Sequence, residues 1–229
     1  MNTLIVIAAL VVVGGITALL WWLLIATEGV YLGQRIVTLL YDLFATRYDR
    51  IKQYDPVYEE YLLAVPIMEQ IHPQTDPLIL DVATGTGRLP VALFEFPPFE
   101  GQIVATDISR RMLDQAILKL ADHRDRIHFV LSDAECLPFP DDTFDIVTCL
   151  EALEFTASPA DTLRECIRVL RPGGLLLITN RLNTLMPGRL WKTDDVLALL
   201  DSYGVSMSQS EVWQVDYEKI WGVKDERLL

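Results

Sequence analysis

Asp81, Asp107 and Asp133 each end or follow a short apolar run, and the first opens the stretch Asp81-Val82-Ala83-Thr84-Gly85-Thr86-Gly87. Glycines at 85 and 87 permit a tight turn in which a ligand meets the main chain with no side chain between. Carboxylates around such a turn accept hydrogen bonds from a ribose diol, an exocyclic amine or an ammonium group, whereas a phosphate would want the opposite charge. A dinucleotide fingerprint needs a third glycine three residues past the second, and Pro90 stands there. No Lys-Ser or Lys-Thr follows the glycines, which excludes a phosphate-cradling loop of the Walker type. The set suits a nucleoside that carries a positive charge and no phosphate.

Strand-to-helix alternation must position these acids. Apolar runs at Leu78–Val82, Gln102–Thr106, Ile127–Leu131, Phe144–Cys149 and Leu175–Thr179 alternate with helical patterns at Leu89–Phe94, Arg111–Ala121 and Ala160–Leu170. That alternation predicts a parallel sheet with helices on both faces, whose ligands gather at the carboxyl ends of the strands where the strand order reverses. A helix at Thr193–Tyr203 and an antiparallel hairpin, Val205–Val212 with Gln214–Val223, complete the reading.

The chain has 229 residues, 51% of them hydrophobic, and a formal charge of -13. Those values allow one sizeable core plus an appendage, and they argue against nucleic-acid binding and against adhesion to anionic lipid by charge. Three cysteines without CxxC spacing suggest neither a zinc site nor a disulfide framework, and no metal is expected. Leu4 to Ala26 is free of charge and long enough to cross a bilayer as a helix. Trp21 and Trp22 near its end, with Arg35, Arg47, Arg50 and Lys52 after it, predict a single-pass anchor with the folded body in the cytoplasm. A cleaved signal peptide is the competing reading, but the run has no Lys or Arg ahead of it and no small-x-small site behind it. Downstream, Ile36, Leu39, Leu40, Leu43 and Phe44 recur at helical spacing, a face that could lie on the bilayer or against the folded body, and packing on the body is the expectation. Asp55-Pro56 reads as a cap and first turn of a helix that Pro66 kinks or ends.

From about Tyr41 to the C-terminus the sequence resembles the class I S-adenosylmethionine-dependent methyltransferases, and more closely the subgroup with a methyltransferase type 11 domain that serves ubiquinone and menaquinone biosynthesis. The resemblance rests on Asp81 to Arg88, Thr106 to Met112, Asp133 to Phe139, Asp141 to Val147, and Leu170-Arg171-Pro172-Gly173-Gly174-Leu175 read as the turn before a fifth strand. It implies a Rossmann-like seven-stranded sheet of order 3-2-1-4-5-7-6 with strand 7 antiparallel, and S-adenosyl-L-methionine as cofactor. Carried over, it places Ala83, Thr84, Gly85 and Gly87 against the methionine and ribose portions, Asp81 toward the ammonium, and Asp107 on the ribose diol. Ile108 and Met112 fall beside the adenine region, Asp133 and the Ala134 amide at the adenine edge, and Leu150 beside the sulfonium. The family commonly has glycine where this chain has Ala83. Tyr48-Asp49 resembles the Tyr-Asp of that subgroup's lid, and Glu151 and Tyr48 are the candidates for a catalytic group, although a dedicated base is optional in methyl transfer. Glu154 reads more simply as a solvated edge, and His72, His123 and His128 as structural.

The expected organisation is an anchor over residues 1–27, an N-terminal helical cover over 28–75 and the cofactor-binding domain over 76–229. An anchor favours a lipophilic, quinone- or lipid-like acceptor by holding the site near the bilayer. A soluble acceptor, or a tethered scaffold that keeps the fold without catalysis, are the alternatives.

Overall fold

The computed structural model describes residues 2–182 and 185–226. Helix α1 (Asn2–Trp21) runs into a π-helical turn (Trp22–Ala26), and Thr3–Ala26 is a helix long and apolar enough to cross a membrane, with none of its most apolar window buried. Four short helices follow: α2 (Gln34–Phe44), α3 (Tyr48–Lys52), α4 (Pro56–Glu59) and α5 (Val65–Ile71). The remainder is strictly alternating at first, with β1 (Leu78–Val82), α6 (Arg88–Glu95), β2 (Gln102–Asp107), α7 (Arg110–Lys119), β3 (Ile127–Leu131) and β4 (Phe144–Cys149). Helix α8 (Pro159–Val169), β5 (Leu170–Arg181), α9 (Thr193–Ser202) and the hairpin β6 (Val205–Gln214) and β7 (Tyr217–Lys224) close the chain.

The strands form one sheet in the order β3-β2-β1-β4-β5-β7-β6, with β7 antiparallel to β5 and β6. Successive residues of a strand face opposite sides, so the apolar strands build two cores. Ile79, Ile103, Ile146 and Leu177 point to the face covered by α5 and α6, while Leu80, Val82, Val147 and Ile178 meet α8 and α9 on the other. The order reverses between β1 and β4, which places the carboxyl ends of β1, β2 and β4 around one crevice.

Two local expectations are corrected, and of the two outcomes expected at Pro66 the structure excludes one. The helix opened by Asp55, whose carboxylate accepts from the Val57 amide at 3.0 Å, is not ended by Pro66. A π-helical turn over Glu60–Ala64 carries it past the proline, and the Leu62 carbonyl, four residues before the missing N–H, accepts from the buried Lys219 ammonium at 2.8 Å. Arg171 to Gly174 is a bulge inside β5 rather than a turn ahead of it: Phe144 pairs with Leu170 and Ile146 already with Leu175. Gly173 adopts φ 73, and a Cβ on Gly174 would lie 2.9 Å from the Asp145 carbonyl, so the bulge requires both glycines. The apolar face of α2 is split: Val37 is buried against the body, whereas Leu39, Leu43 and Phe44 are exposed. Packing on the body therefore accounts for only part of that face.

Phe94 near the end of α6 and Phe99 in the loop after it pack together. They meet edge to face at 5.6 Å with Arg126 over both rings, and Phe94 stacks on His123 at 4.5 Å.

Candidate functional site

A single crevice at the carboxyl ends of the strands is lined by Asp81, Ala83, Thr84, Gly85, Asp107, Ile108, Asp133, Ala134 and Leu150 of the sequence-predicted set. Gly87 and Met112 do not reach it. Gly87 has φ 82 and lies against α7, where a Cβ would sit 3.0 Å from Leu120 and 3.3 Å from Ala116; its role is to let the loop approach the helix. Met112 is fully buried in the protein interior. Gly85, in contrast, has φ 57 and no atom within 4 Å of where its Cβ would be, so the space in front of it belongs to the crevice.

Asp107 turns both oxygens to the main chain. One accepts from the Gly85 amide at 2.8 Å and the other from the Ser109 amide at 2.7 Å, which fixes the β1 loop to the β2 loop. A carboxylate has about four lone-pair sites, so two remain for a diol. Asp81 accepts from the hydroxyls of Thr84 at 2.6 Å and Thr148 at 2.7 Å. Thr148, on β4, orients this acid, and a threonine inside an apolar strand gave no sign of that in the sequence. Burial pushes both carboxyls up, to about 6 each from an ordinary value near 3.8, against the opposing pull of these hydrogen bonds.

The sign of the resulting pH dependence follows. Both folded-state values lie above the unfolded ones, so between about pH 4 and 6 the folded chain binds more protons, and its stability without ligand falls as pH rises through that window. The ionised forms are the better partners for an ammonium and a diol. Nucleoside affinity is therefore expected to rise about tenfold or more from pH 5 to pH 7. Titration calorimetry with S-adenosylmethionine across that range checks it, and a flat profile contradicts the assignment.

Ala83 occupies φ 56, a conformation that costs an alanine about 1 kcal/mol. The departure from glycine noted in the sequence thus falls on a position where the backbone favours glycine. Ala83→Gly is expected to leave stability unchanged or raise it by up to about 1 kcal/mol, relief of strain being offset by unfolded-chain entropy; chemical denaturation measures the difference.

The N-terminal helices grip all three acid-bearing loops. Gln34 of α2 donates to both oxygens of Asp133 at 3.2 Å. Asp42 of α2 accepts from the Ser109 hydroxyl at 2.6 Å, and Asp49 of α3 accepts from the Thr86 hydroxyl while pairing with Lys119 at 2.6 Å. Of these, only Asp49 stood out in the sequence, beside Tyr48. Tyr41, Tyr48, Tyr54 and Phe155 also line the crevice, and their rings touch in sequence, Phe155 to Tyr41 at 6.0 Å, Tyr41 to Tyr48 at 5.9 Å and Tyr48 to Tyr54 at 6.4 Å.

Arg88, at the start of α6, binds the cover to the floor. Its guanidinium pairs with Glu59 at 2.6 and 2.9 Å and with Glu151 at 2.5 Å, between the rings of Tyr54 at 4.2 Å and Trp213 at 4.5 Å. Burial opposes the charge of Arg88, but the two carboxylates outweigh it and raise its pKa further. Glu151 also pairs with Lys52 at 2.9 Å; burial acts to raise its pKa, and the two cations outweigh burial and hold it below its ordinary value. Tyr48 is shifted the other way, upward, by burial and then by Tyr54 and Glu151. Glu154 is not a solvated edge: it is buried, bonded to the Tyr217 hydroxyl and 3.5 Å from Arg181.

The crevice chemistry fits S-adenosylmethionine. Open space before Gly85, a diol acceptor at Asp107, an anionic wall at Asp81 and an exposed apolar surface at Ile108 match the nucleoside and its positively charged substituent. Residues 80–178 match the family model described as methyltransferase domain. The chain is 37% identical over 142 residues to a demethylmenaquinone methyltransferase of Clavibacter sepedonicus, covering 62% of this chain and 56% of that protein. It is 41% identical over 102 residues to the ubiquinone/menaquinone biosynthesis C-methyltransferase UbiE of a Marinomonas strain, covering 44% and 41%. The chain thus spans about half the length of the curated relatives it matches. Among solved structures it superposes on an S-adenosylmethionine-dependent methyltransferase from Aquifex aeolicus with TM-score 0.61, at 20% identity over 75% of this chain and 94% of that one. The [4+2]-cyclase SpnF superposes with TM-score 0.69, at 19% identity over 84% and 96%, so the fold alone does not fix the reaction.

Proposed function

We propose that this chain, whose residues 80–178 form a methyltransferase domain on the class I S-adenosylmethionine-dependent fold, is a membrane-anchored methyltransferase acting on a lipophilic, quinone-like acceptor. The observation that carries the reading is the pairing of two chemistries in one crevice: the acids and Gly85 on the one hand, and the contiguous rings of Tyr41, Tyr48, Tyr54 and Phe155 on the other. S-adenosylmethionine supplies a methyl group on a positively charged sulfur. Asp107 would hold the ribose diol, Asp81 the ammonium, Asp133 and the Ala134 amide the adenine edge, and Leu150 would border the sulfur. The tyrosine and phenylalanine rings would position the acceptor against the methyl and exclude water.

Neither candidate for a base is suited to take a proton. Glu151 is committed to Arg88 and Lys52 with its pKa lowered, and Tyr48 is held protonated by burial. Positioning is the main contribution, and an aligned pair of reactants can gain on the order of 7–11 kcal/mol from that source.

Membrane attachment is supported by how the apolar helix meets the body. Trp22 donates to the Leu185 carbonyl at 3.2 Å and stacks on Tyr31 at 5.0 Å, and the Tyr31 hydroxyl donates to the Pro187 carbonyl at 2.6 Å. A helix end built into the fold in this way is suited to an anchor rather than to a cleaved leader, and Arg35, Arg47 and Arg50 are exposed beyond it, which favours a cytoplasmic body.

Incubation of the full chain in vesicles with methyl-labelled S-adenosylmethionine, against a total lipid extract and a soluble metabolite extract, tests the acceptor class. Label is expected in the lipid extract. Label confined to the soluble extract would favour a soluble acceptor, and no binding of cofactor or its demethylated product would leave only a scaffold.

A further inference from the structure

A second cavity lies between the end of the apolar helix and the cover, lined by Leu24, Ile25, Leu40, Phe44 and Ile51 along its length. Its remaining walls are Glu28, Tyr41, Tyr48 and Lys52, and Tyr41 and Tyr48 also line the cofactor crevice. The two spaces therefore share a wall of two tyrosines. Resting on the acceptor reading above, we propose that this second cavity is a lateral portal that holds the hydrocarbon tail of a membrane-borne acceptor while its ring enters the crevice past Tyr41 and Tyr48.

The division of chemistry among its walls supports one orientation of an amphiphile. At the bilayer end, Leu24 and Ile25 belong to the membrane-crossing helix itself, so a tail can pass from lipid to protein without crossing water. Phe44 and Ile51 are exposed there at 40% and 60%, and Leu43 beside them at 60%, a cost in water that contact with hydrocarbon removes. The polar walls are the ones tied to the crevice. The Tyr41 hydroxyl donates to Glu28 at 2.7 Å, and Lys52 reaches Glu151 at 2.9 Å while lying 5.7 Å from the Tyr48 ring centre. Such groups suit an oxygen-bearing ring and repel a tail.

Local backbone shapes the portal. Glu28 at φ 50 and Gly29 at φ 78 turn the chain sharply after the helix, and a Cβ on Gly29 would stand 2.9 Å from Leu40 and 3.0 Å from Ile36. Gly29 thus lets the turn lie against α2, with the wall residue Leu40 beside it.

The test uses the full chain in phosphatidylcholine vesicles with a hydroquinone whose isoprenoid tail carries a diazirine. After irradiation, adducts are expected on Leu40, Tyr41, Phe44, Tyr48 or Ile51, and adducts confined to residues 3–23 overturn the portal. Phosphatidylcholine with a diazirine in its acyl chain is the control, and equal labelling of the same side chains by that lipid also overturns it. Ile51→Trp, a change at an exposed position, is expected to lower the tail adducts about tenfold and to reduce kcat/KM for the tailed hydroquinone about tenfold more than for its tail-less counterpart. Equal effects on both acceptors contradict the proposal. Failure of the two readings is distinguishable: portal adducts without methylation of the hydroquinone would sink the acceptor reading alone, and methylation without portal adducts would sink the portal alone.

Discussion

Asp107→Ala is expected to weaken binding of S-adenosylmethionine by about a hundredfold or more. Two charge-assisted hydrogen bonds to the ribose diol are lost, each worth roughly 1.5–3 kcal/mol. The fold does not escape unchanged, because this strand-end acid holds two backbone amides. The Gly85 and Ser109 amides each lose their acceptor, at 2.8 and 2.7 Å, and an unsatisfied buried amide costs about 1–3 kcal/mol. Asp107→Asn separates the two effects. It keeps one acceptor for the main chain and removes the charge, so it should cost less stability than alanine while still binding the cofactor far more weakly than the unaltered chain. Calorimetry of binding and urea unfolding without cofactor give the two numbers. Unchanged affinity in both variants would refute the ribose assignment.

Much of this architecture was legible because each strand of the sheet carries its own signal. Leu78–Val82, Ile127–Leu131 and Phe144–Cys149 stand in the structure at the boundaries their apolar runs mark, and the sheet order expected of the resemblance is the one observed. Strand-end acids are legible for the same reason: a carboxylate at the end of a buried run must have a partner. The contacts that the N-terminal helices make to the acid-bearing loops were not. Gln34, Asp42 and Asp49 sit 99, 67 and 37 residues from the Asp133, Ser109 and Thr86 side chains they bind, and no local pattern encodes contacts of that separation. Arg88 was visible only as the residue after a glycine loop. Its two carboxylates come from different parts of the chain, 29 and 63 residues away, and its two flanking rings from two more. The second cavity was hidden for a different reason. The apolar face of α2 was apparent from its period, but a helical period cannot say which residues of a wide stripe meet protein and which meet lipid.

Arg88→Ala is the substitution expected to cost the most stability, about 3–5 kcal/mol, because it leaves the Glu59 and Glu151 carboxylates in a buried site with only Lys52 to compensate one of them. Loss of packing between the Tyr54 and Trp213 rings adds to the deficit. Charge and packing are separable by pH. Uncompensated buried carboxylates take up protons more readily in the folded than in the unfolded chain, so the charge part of the deficit is largest at pH 7 and shrinks as pH falls toward 5, whereas the packing part does not. Denaturation of both chains at the two pH values measures the split. The same variant should loosen the cover, since Arg88 is what ties Glu59 of α4 and the ring of Tyr54 to the floor of the crevice at Glu151. Closure then no longer fixes the acceptor, and kcat is expected to fall for tailed and tail-less acceptors alike. A deficit independent of pH would mean that Arg88 acts through its stacked rings and not through the two acids it joins.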